Sequence, residues 1–271
     1  MKSILVPIED HSAINSVVRT ASLASTLLQA FVVAVPLRAM QFQVVGAEPI
    51  VAVSFPPAEQ DDESTVRATR TLFDEILKSE KICLDRMSWS ESGPIDDIGL
   101  GTLARVYDLT VVGRPEPHEG GPRMTTLESV LFDGGRPVLI ASPKAPKDLG
   151  RNIVISWNRS IEAARTVAFA LPLLKHAKSV SVLTIEEAVA PGPDGSALVE
   201  NLAHHEIAAN DLTLSAKGRK PGAAILEEAA NLGADLLVKG AYTQSRLRQM
   251  IFGGATSHIL AHAELPVFMA N

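Results

Sequence analysis

One cysteine, Cys83, is all that the 271-residue chain contains, so no intrachain disulfide can form and nothing points to an oxidising compartment. Flanked by Ile82 and Leu84, it reads as a small core residue rather than a reactive thiol. No apolar run approaches the length needed to cross a bilayer. The opening MKSILVPIED turns acidic after one short apolar run, too short for the core of a secretory leader. These absences lead to the expectation of a cytoplasmic protein. Positive charge is also in deficit. The formal net charge is −6, which gives no long-range attraction to nucleic acid or to an anionic membrane. Neither the phosphate loop Gly-x-x-x-x-Gly-Lys-[Ser/Thr] nor the dinucleotide fingerprint Gly-x-Gly-x-x-Gly occurs.

What is present is a globular composition, 46% hydrophobic and 21% charged, in a chain long enough for two ordinary domains. The chain repeats itself once. Ser3-Ile-Leu-Val-Pro-Ile8 resembles Asn152-Ile-Val-Ile-Ser-Trp157. Asp108-Leu-Thr-Val-Val-Gly113 matches Asp235-Leu-Leu-Val-Lys-Gly240, 127 residues on, and Arg136-Pro-Val-Leu-Ile-Ala-Ser142 matches Leu265-Pro-Val-Phe-Met-Ala-Asn271, 129 residues on. The boundary falls in a stretch rich in proline and lysine, as a surface linker should be. The expected division is a first domain over 1–142, a linker over 143–150 and a second domain over 151–271.

Each half alternates short β-branched runs with helical patterns. In the second half, strands are expected at Ile153–Trp157, Val180–Thr184, Leu212–Ser215, Leu236–Lys239 and Pro266–Ala270. Helices are expected at Ser160–Leu174, Ala197–Ala209, Gly222–Leu232 and Gly254–Ala263. Such alternation predicts an α/β fold of parallel strands joined by right-handed crossovers. Continuous apolar strands such as Leu236-Leu-Val238 fit a sheet covered on both faces. The fold class is two tandem doubly wound five-stranded parallel sheets. Ligands of such sheets sit at the carboxyl ends of the strands, where strand order reverses. The segment Leu37–Gln60, which leads into a helix expected over Asp61–Glu80, departs from the pattern. It reads as a packed surface loop, or else as an edge strand, lid or partner surface over Pro49–Phe55.

The stretch most suggestive of chemistry is KGAYTQSRLRQMIFGGATSHIL, residues 239–260. Gly240 ends a strand, where the lack of a Cβ permits positive φ and close approach of the backbone to a ligand. Gly253 and Gly254 open the last helix, whose first N–H groups have no intrahelical partner and whose dipole favours an anion. Lys239, Arg246 and Arg248 add positive charge, and Thr256 offers a hydroxyl. The plain alternative is that glycines punctuate any strand-to-helix junction.

Across nearly its full length, the Leu37–Gln60 insertion aside, the chain resembles the universal stress protein family in its tandem two-domain form. The resemblance is carried by Ile4-Leu-Val-Pro-Ile8 and Ile153-Val-Ile-Ser-Trp-Asn158-Arg-Ser160, and by the run from Gly222 to Tyr242. Gly240-x-x-Thr243-x₉-Gly253-Gly254 is similar to the family's Gly-x-x-Gly-x₉-Gly-[Ser/Thr] signature, and Pro266-Val-Phe-Met269 to its closing strand. The resemblance implies pairing of the two halves through their last strands as an intramolecular pseudo-dimer. Members of that family divide into binders of ATP (with Mg²⁺) or AMP and non-binders, so the resemblance implies an adenine-nucleotide-binding stress-response protein or one that binds none; the glycines place a site in the second half alone. No base stands beside a nucleophile and no carboxylates cluster for a metal, so an enzyme is not expected, with slow nucleotide hydrolysis left open. Asn158 stands where the family has an acidic residue that holds the adenosine part, and with Ser160 would take the base or ribose. Gly240, Gly253, Gly254, Ala255 and Thr256 would take the phosphates, with Arg246 assisting. Thr243 stands at the family's second glycine, and a β-branched residue resists positive φ. If Thr243 closes the cradle, there is no nucleotide cofactor and the protein acts through protein partners, with Leu37–Gln60 or the paired last strands as the candidate surface and homodimerisation open.

The first half departs further. Arg114-Pro115-Glu116 follows Gly113, and Met124 and Thr125 stand opposite Gly253 and Gly254. Glu9 or Asp10 remains as an acidic residue after the first strand. A degenerate, structural or regulatory half is expected. His258 and His262 stand four apart, but no third ligand is near in sequence, so metal is not expected. His204-His205 reads as a partly exposed helix pair, Asp96-Asp97 as a helix first turn, and Asp108 and Asp235 as structural hydrogen-bond acceptors. Trp157 reads as a core or pocket wall.

Overall fold

The computed structural model describes residues 1–38, 43–47, 50–54, 62–80, 82, 84–241 and 254–271. The first half runs β1 (Ser3–Ile8), α1 (Ile14–Leu28), β2 (Phe31–Pro36), β3 (Gln43–Ala47), β4 (Ile50–Ser54), α2 (Asp62–Ser79), β5 (Met87–Trp89), α3 (Asp97–Leu103), β6 (Leu109–Gly113), α4 (Met124–Asp133) and β7 (Val138–Ala141). The second runs β8 (Asn152–Ser156), α5 (Ile161–Leu174), β9 (Ser179–Ile185), α6 (Gly195–His204), β10 (Asn210–Leu214), α7 (Pro221–Asn231), β11 (Leu236–Gly240), α8 (Ala255–His262) and β12 (Val267–Ala270).

Ten strands form one sheet in the order β10-β9-β8-β11-β12-β7-β6-β1-β2-β5. Within each half of this sheet every pairing is parallel, and strand order reverses between β1 and β6 and again between β8 and β11. The halves join where β12 lies antiparallel to β7, with Val267 opposite Ile140 and Phe268 opposite Leu139. Joining the two last strands removes two open edges and places Phe268 among the fully buried side chains. The expected tandem five-stranded sheets are therefore fused into one.

Successive residues of each strand serve opposite faces. Ile4, Val6, Ile8, Leu236 and Val238 pack under α1, α2, α5 and α6. Leu5, Val112, Leu237 and Met269 pack under the helices of the other face, α4, α7 and α8 among them. Burial on both faces is why these strands read as unbroken apolar runs.

Two aspartates brace the fold in the same way. Asp108 accepts from the Lys2 and Ser3 backbone N–H groups at 2.6 and 3.2 Å. Asp235 accepts from those of Arg151 and Asn152 at 2.9 and 3.1 Å. Each ties the start of its fourth main-sheet strand to the start of its first. These contacts also set Lys2 opposite Arg151, so Glu9 falls opposite Asn158 in the repeat.

The structure corrects three readings. Within Leu37–Gln60 the plain-loop reading gives way to the strand alternative: β4 falls within the expected Pro49–Phe55, but it pairs with β3 as an antiparallel hairpin outside the main sheet rather than at its edge. The helix expected to Ala209 ends at His204, and the following strand starts at Asn210 rather than Leu212. Asp97 is more than a first-turn carboxylate, as shown below. Cys83, Pro49 and Phe55 lie outside the described residues.

Candidate functional site

The carboxyl ends of β8 and β11 flank the second switch point. After β8 the chain turns through Asn158, Arg159 and Ser160 into α5. The Asn158 Oδ1 accepts from the Ser160 N–H at 3.3 Å and from its hydroxyl at 2.8 Å. The Ser160 Oγ in turn accepts from the Ala163 N–H at 3.1 Å and caps α5. Arg159 takes the left-handed conformation, φ 65°, which this turn needs. Asn158 and Ser160 are thus brought together, with the amide oxygen of Asn158 committed to the turn. Trp157 is buried and donates its indole N–H to the Pro193 carbonyl at 3.0 Å. It is a wall of this end of the sheet.

Gly240 owes its identity to packing. A Cβ there would lie 2.4 Å from the Ala163 nitrogen and 2.7 Å from the Glu162 carbonyl carbon. The close approach expected at this glycine is to the first turn of α5 rather than to a ligand, and Gly240 is not among the positive-φ residues. Opposite, Gly254 is the N-cap of α8 in an extended conformation and, as a glycine, supplies no side-chain cap of its own. Its neighbour α7 presses close: a Cβ on Gly222 would meet the Ala255 carbonyl and the His258 Cβ at 2.8 Å each. Thr256 is buried, and its hydroxyl accepts from the Lys239 Nζ at 2.9 Å. Thr243, Arg246 and Gly253 lie outside the described residues. Asn158, Ser160, Gly240, Gly254, Ala255 and Thr256 are all placed at the carboxyl end of the sheet.

Lys239 was read from the sequence only as local positive charge. Its side chain is 7% exposed and points into the layer beneath α8. The Nζ donates to the Gly240 carbonyl at 2.7 Å as well as to Thr256. Loss of hydration lowers its pKa to about 8, against a smaller opposing effect of the Glu162 carboxylate. The repeat held the signal that could have found it: the corresponding residue of β6 is Val112.

The first switch point is filled by its own chain. Arg123, the N-cap of α4, spans two carboxylates. Its guanidinium lies 2.9 Å from Glu9 and 2.7 Å from Asp97, and Thr126 donates to Asp97 at 2.9 Å. Glu9 therefore answers Arg123 rather than a ligand, and burial, outweighing the guanidinium, still raises its pKa. The loop after β6 folds inward. Pro122 occupies the space beside Gly113, where a Cβ would meet its Cγ at 2.5 Å. The Ser12 N–H donates to the Gly120 carbonyl at 2.8 Å. What remains among Glu9, His11, Pro122 and Arg123 is a cavity of about 10 Å³, too small for a nucleotide. Arg114 from the same loop donates to the Ala261 carbonyl at the end of α8, which joins the two halves and suits the negative end of that helix.

His11 is buried here and accepts from the Ala13 N–H through Nδ1 at 3.2 Å. Burial lowers its pKa from 6.5 to about 4. Below pH 6.5 the unfolded chain takes up a proton that the folded chain refuses until about pH 4. Stability from this group is therefore complete above 6.5 and is lost as the pH falls through 4, by about 3 kcal/mol in total. Urea midpoints at pH 7 and pH 5 should fall more steeply for the wild type than for a His11→Gln variant. Equal slopes would show that His11 is not held neutral.

His258 and His262 stack with ring centroids 4.2 Å apart, and Nδ1 of His262 lies 2.9 Å from the His258 carbonyl oxygen. Among the described residues no group of three or more His, Cys, Asp or Glu side chains is placed to hold a metal. His204 is exposed and His205 half-buried at the end of α6. Asp96 caps α3 by accepting from the Gly99 N–H at 2.7 Å. No helix among the described residues is long and apolar enough to cross a membrane.

Comparison with known proteins agrees with this architecture. Residues 151–271 match the model of the universal stress protein family. A universal stress protein from Archaeoglobus fulgidus DSM 4304 superposes with a TM-score of 0.73 at 14% identity, over 99% of this chain and 96% of its own. A protein of unknown function from Pseudomonas aeruginosa PAO1 superposes with a TM-score of 0.56 at 15% identity, over 100% of this chain and 92% of its own. No curated protein matches the sequence.

Proposed function

Because the second half of the chain belongs to the universal stress protein family and the first half repeats its fold, we propose that the protein is an adenine-nucleotide-binding stress protein with one site, at the second switch point. The observation that carries this reading is the difference between the two switch points. In the first, Arg123 stands at the start of α4 between Glu9 and Asp97. In the second, a glycine, with no side chain to fill that place, opens α8, and the uncharged Asn158 stands where Glu9 does. The N–H groups of Ala255 and Thr256 are the first-turn donors of that helix, suited to phosphate oxygens. Gly253, Thr243 and Arg246 belong to the same stretch of sequence. Asn158 and Ser160 face the base or ribose, the Asn158 amide N–H₂ donating. ATP with Mg²⁺, or AMP, is the ligand, and its binding shifts the populations of conformations or partners rather than driving turnover.

A second reading, a partner-binding protein that takes no nucleotide, is favoured by one observation: the Asn158 Oδ1 is already satisfied by Ser160. Isothermal titration with ATP, AMP and adenosine, with and without Mg²⁺, separates the two. Nucleotide at a hundred times its Kd should stabilise the fold by about 2.7 kcal/mol. No heat, and no rise in melting temperature at millimolar nucleotide, would sink the nucleotide reading.

A further inference from the structure

We propose that Lys239 supplies the charge with which the second half holds phosphate: its ammonium, at the end of β11 and under the first turn of α8, is the electrostatic anchor of the nucleotide's phosphate chain. This rests on the nucleotide reading above and adds to it a residue that the glycine signature does not contain. A lysine on a central strand is costly unless a negative charge answers it. Among the described residues, both oxygens that Nζ contacts, the Gly240 carbonyl and the Thr256 hydroxyl, are neutral. An ammonium has three donors, so one is left by these contacts.

The repeat shows what is missing. In the first half the cation beside the fourth helix is Arg123, and two carboxylates neutralise it, Glu9 after β1 and Asp97 in the first turn of α3. In the second half Asn158 faces Glu9's position, and the first turn of α7 carries no acid. The stretch 242–253, YTQSRLRQMIFG, which links β11 to α8 in sequence, contains no Asp or Glu. Glu162, at the start of α5, is the carboxylate whose field reaches Lys239, and it makes no ion pair with it among the described residues. The second half thus carries a buried cation under the first turn of α8, whose N-cap is a glycine, and both the cation and the helix N-terminus favour an anion from outside the chain. A polyphosphate fits this chemistry. The corresponding Val112 cannot serve, in keeping with a first half closed by its own side chains.

The test compares wild type with Lys239→Met, which keeps the length of the side chain and removes the charge. Lys239→Gln, which can still donate to Thr256, is the second variant. Calorimetric titration should show ATP affinity reduced at least tenfold in both variants, with adenosine affinity unchanged. ATP binding equal to wild type in both variants would overturn the role of Lys239 while leaving the nucleotide site intact. If the wild type binds neither ATP nor adenosine, the nucleotide reading itself fails. Inorganic tripolyphosphate then decides this inference: a rise in melting temperature in wild type and not in the variants supports it, and no difference between them overturns it.

Discussion

A Gly240→Ala variant is expected to lose about 2–3 kcal/mol of stability, and Gly240→Val more, because the new Cβ lands on backbone. The atoms that it would meet are the Ala163 nitrogen at 2.4 Å and the Ala163 Cα at 2.8 Å. Backbone in the first turn of α5 cannot swing aside as a side chain tip can, so either the helix retreats from the sheet or β11 bends. Overpacking of this kind costs about 1–3 kcal/mol, occasionally more. The helix that would move is the one that Ser160 caps and Asn158 leads into, so the candidate site should distort with it. Gly233→Ala is the control. Gly233 also needs its glycine, at φ 61°, but a Cβ there meets nothing within 4 Å, so only the conformational cost of about 1 kcal/mol applies. Urea midpoints give the comparison. A Gly240→Ala midpoint equal to wild type would show that α5 yields freely and that packing does not explain the glycine.

Lys239→Met is expected to stabilise the fold by about 1–2 kcal/mol in the absence of ligand. The fall in the lysine's pKa from 10.5 to about 8 corresponds to about 3 kcal/mol held against the folded charged form at neutral pH. Loss of its bonds to Thr256 and Gly240 returns part of that. The sign with pH follows. Between pH 8 and 10.5 the unfolded chain binds a proton that the folded chain has released, so wild-type stability from this group rises with pH across that window. It is complete above 10.5 and is lost as the pH falls through 8. The Met variant should lack the rise. Denaturation at pH 7.5 and pH 9.5 measures both effects, and a variant less stable than wild type at pH 7.5 would mean that the ammonium is well paired in the free protein. A residue that weakens the free fold while strengthening ligand binding is the pattern expected of a binding group rather than a packing one.

Particular residues show how far sequence reasoning carried. The repeat of Asp108 and Asp235 ahead of two apolar runs was legible, and with it the strands that those aspartates brace. So was the pairing of the last strands, through a family resemblance quoted on Pro266-Val-Phe-Met269. Gly240 was legible as a place of close approach, but not what approaches: the partner, Ala163, is 77 residues away in the chain. Asp97 read as a first-turn acid because local spacing reports the helix dipole and says nothing of Arg123, 26 residues on. Lys239 read as one basic residue among three because its burial depends on α8 being laid over it.

The amino-acid sequence alone therefore determined the alternation of strands and helices, the duplication and the two-faced burial of the sheet, since periodicity, composition and internal comparison are local or self-referring properties. The tertiary structure alone decided that the first switch point is closed, with Pro122 against Gly113 and Arg123 between Glu9 and Asp97. It alone decided that a charge is buried at the second, under the first turn of α8. Which charges meet, and which are left without a partner, is settled by the crossing of elements distant in the chain, and desolvation acts on a side chain only once those elements have closed over it.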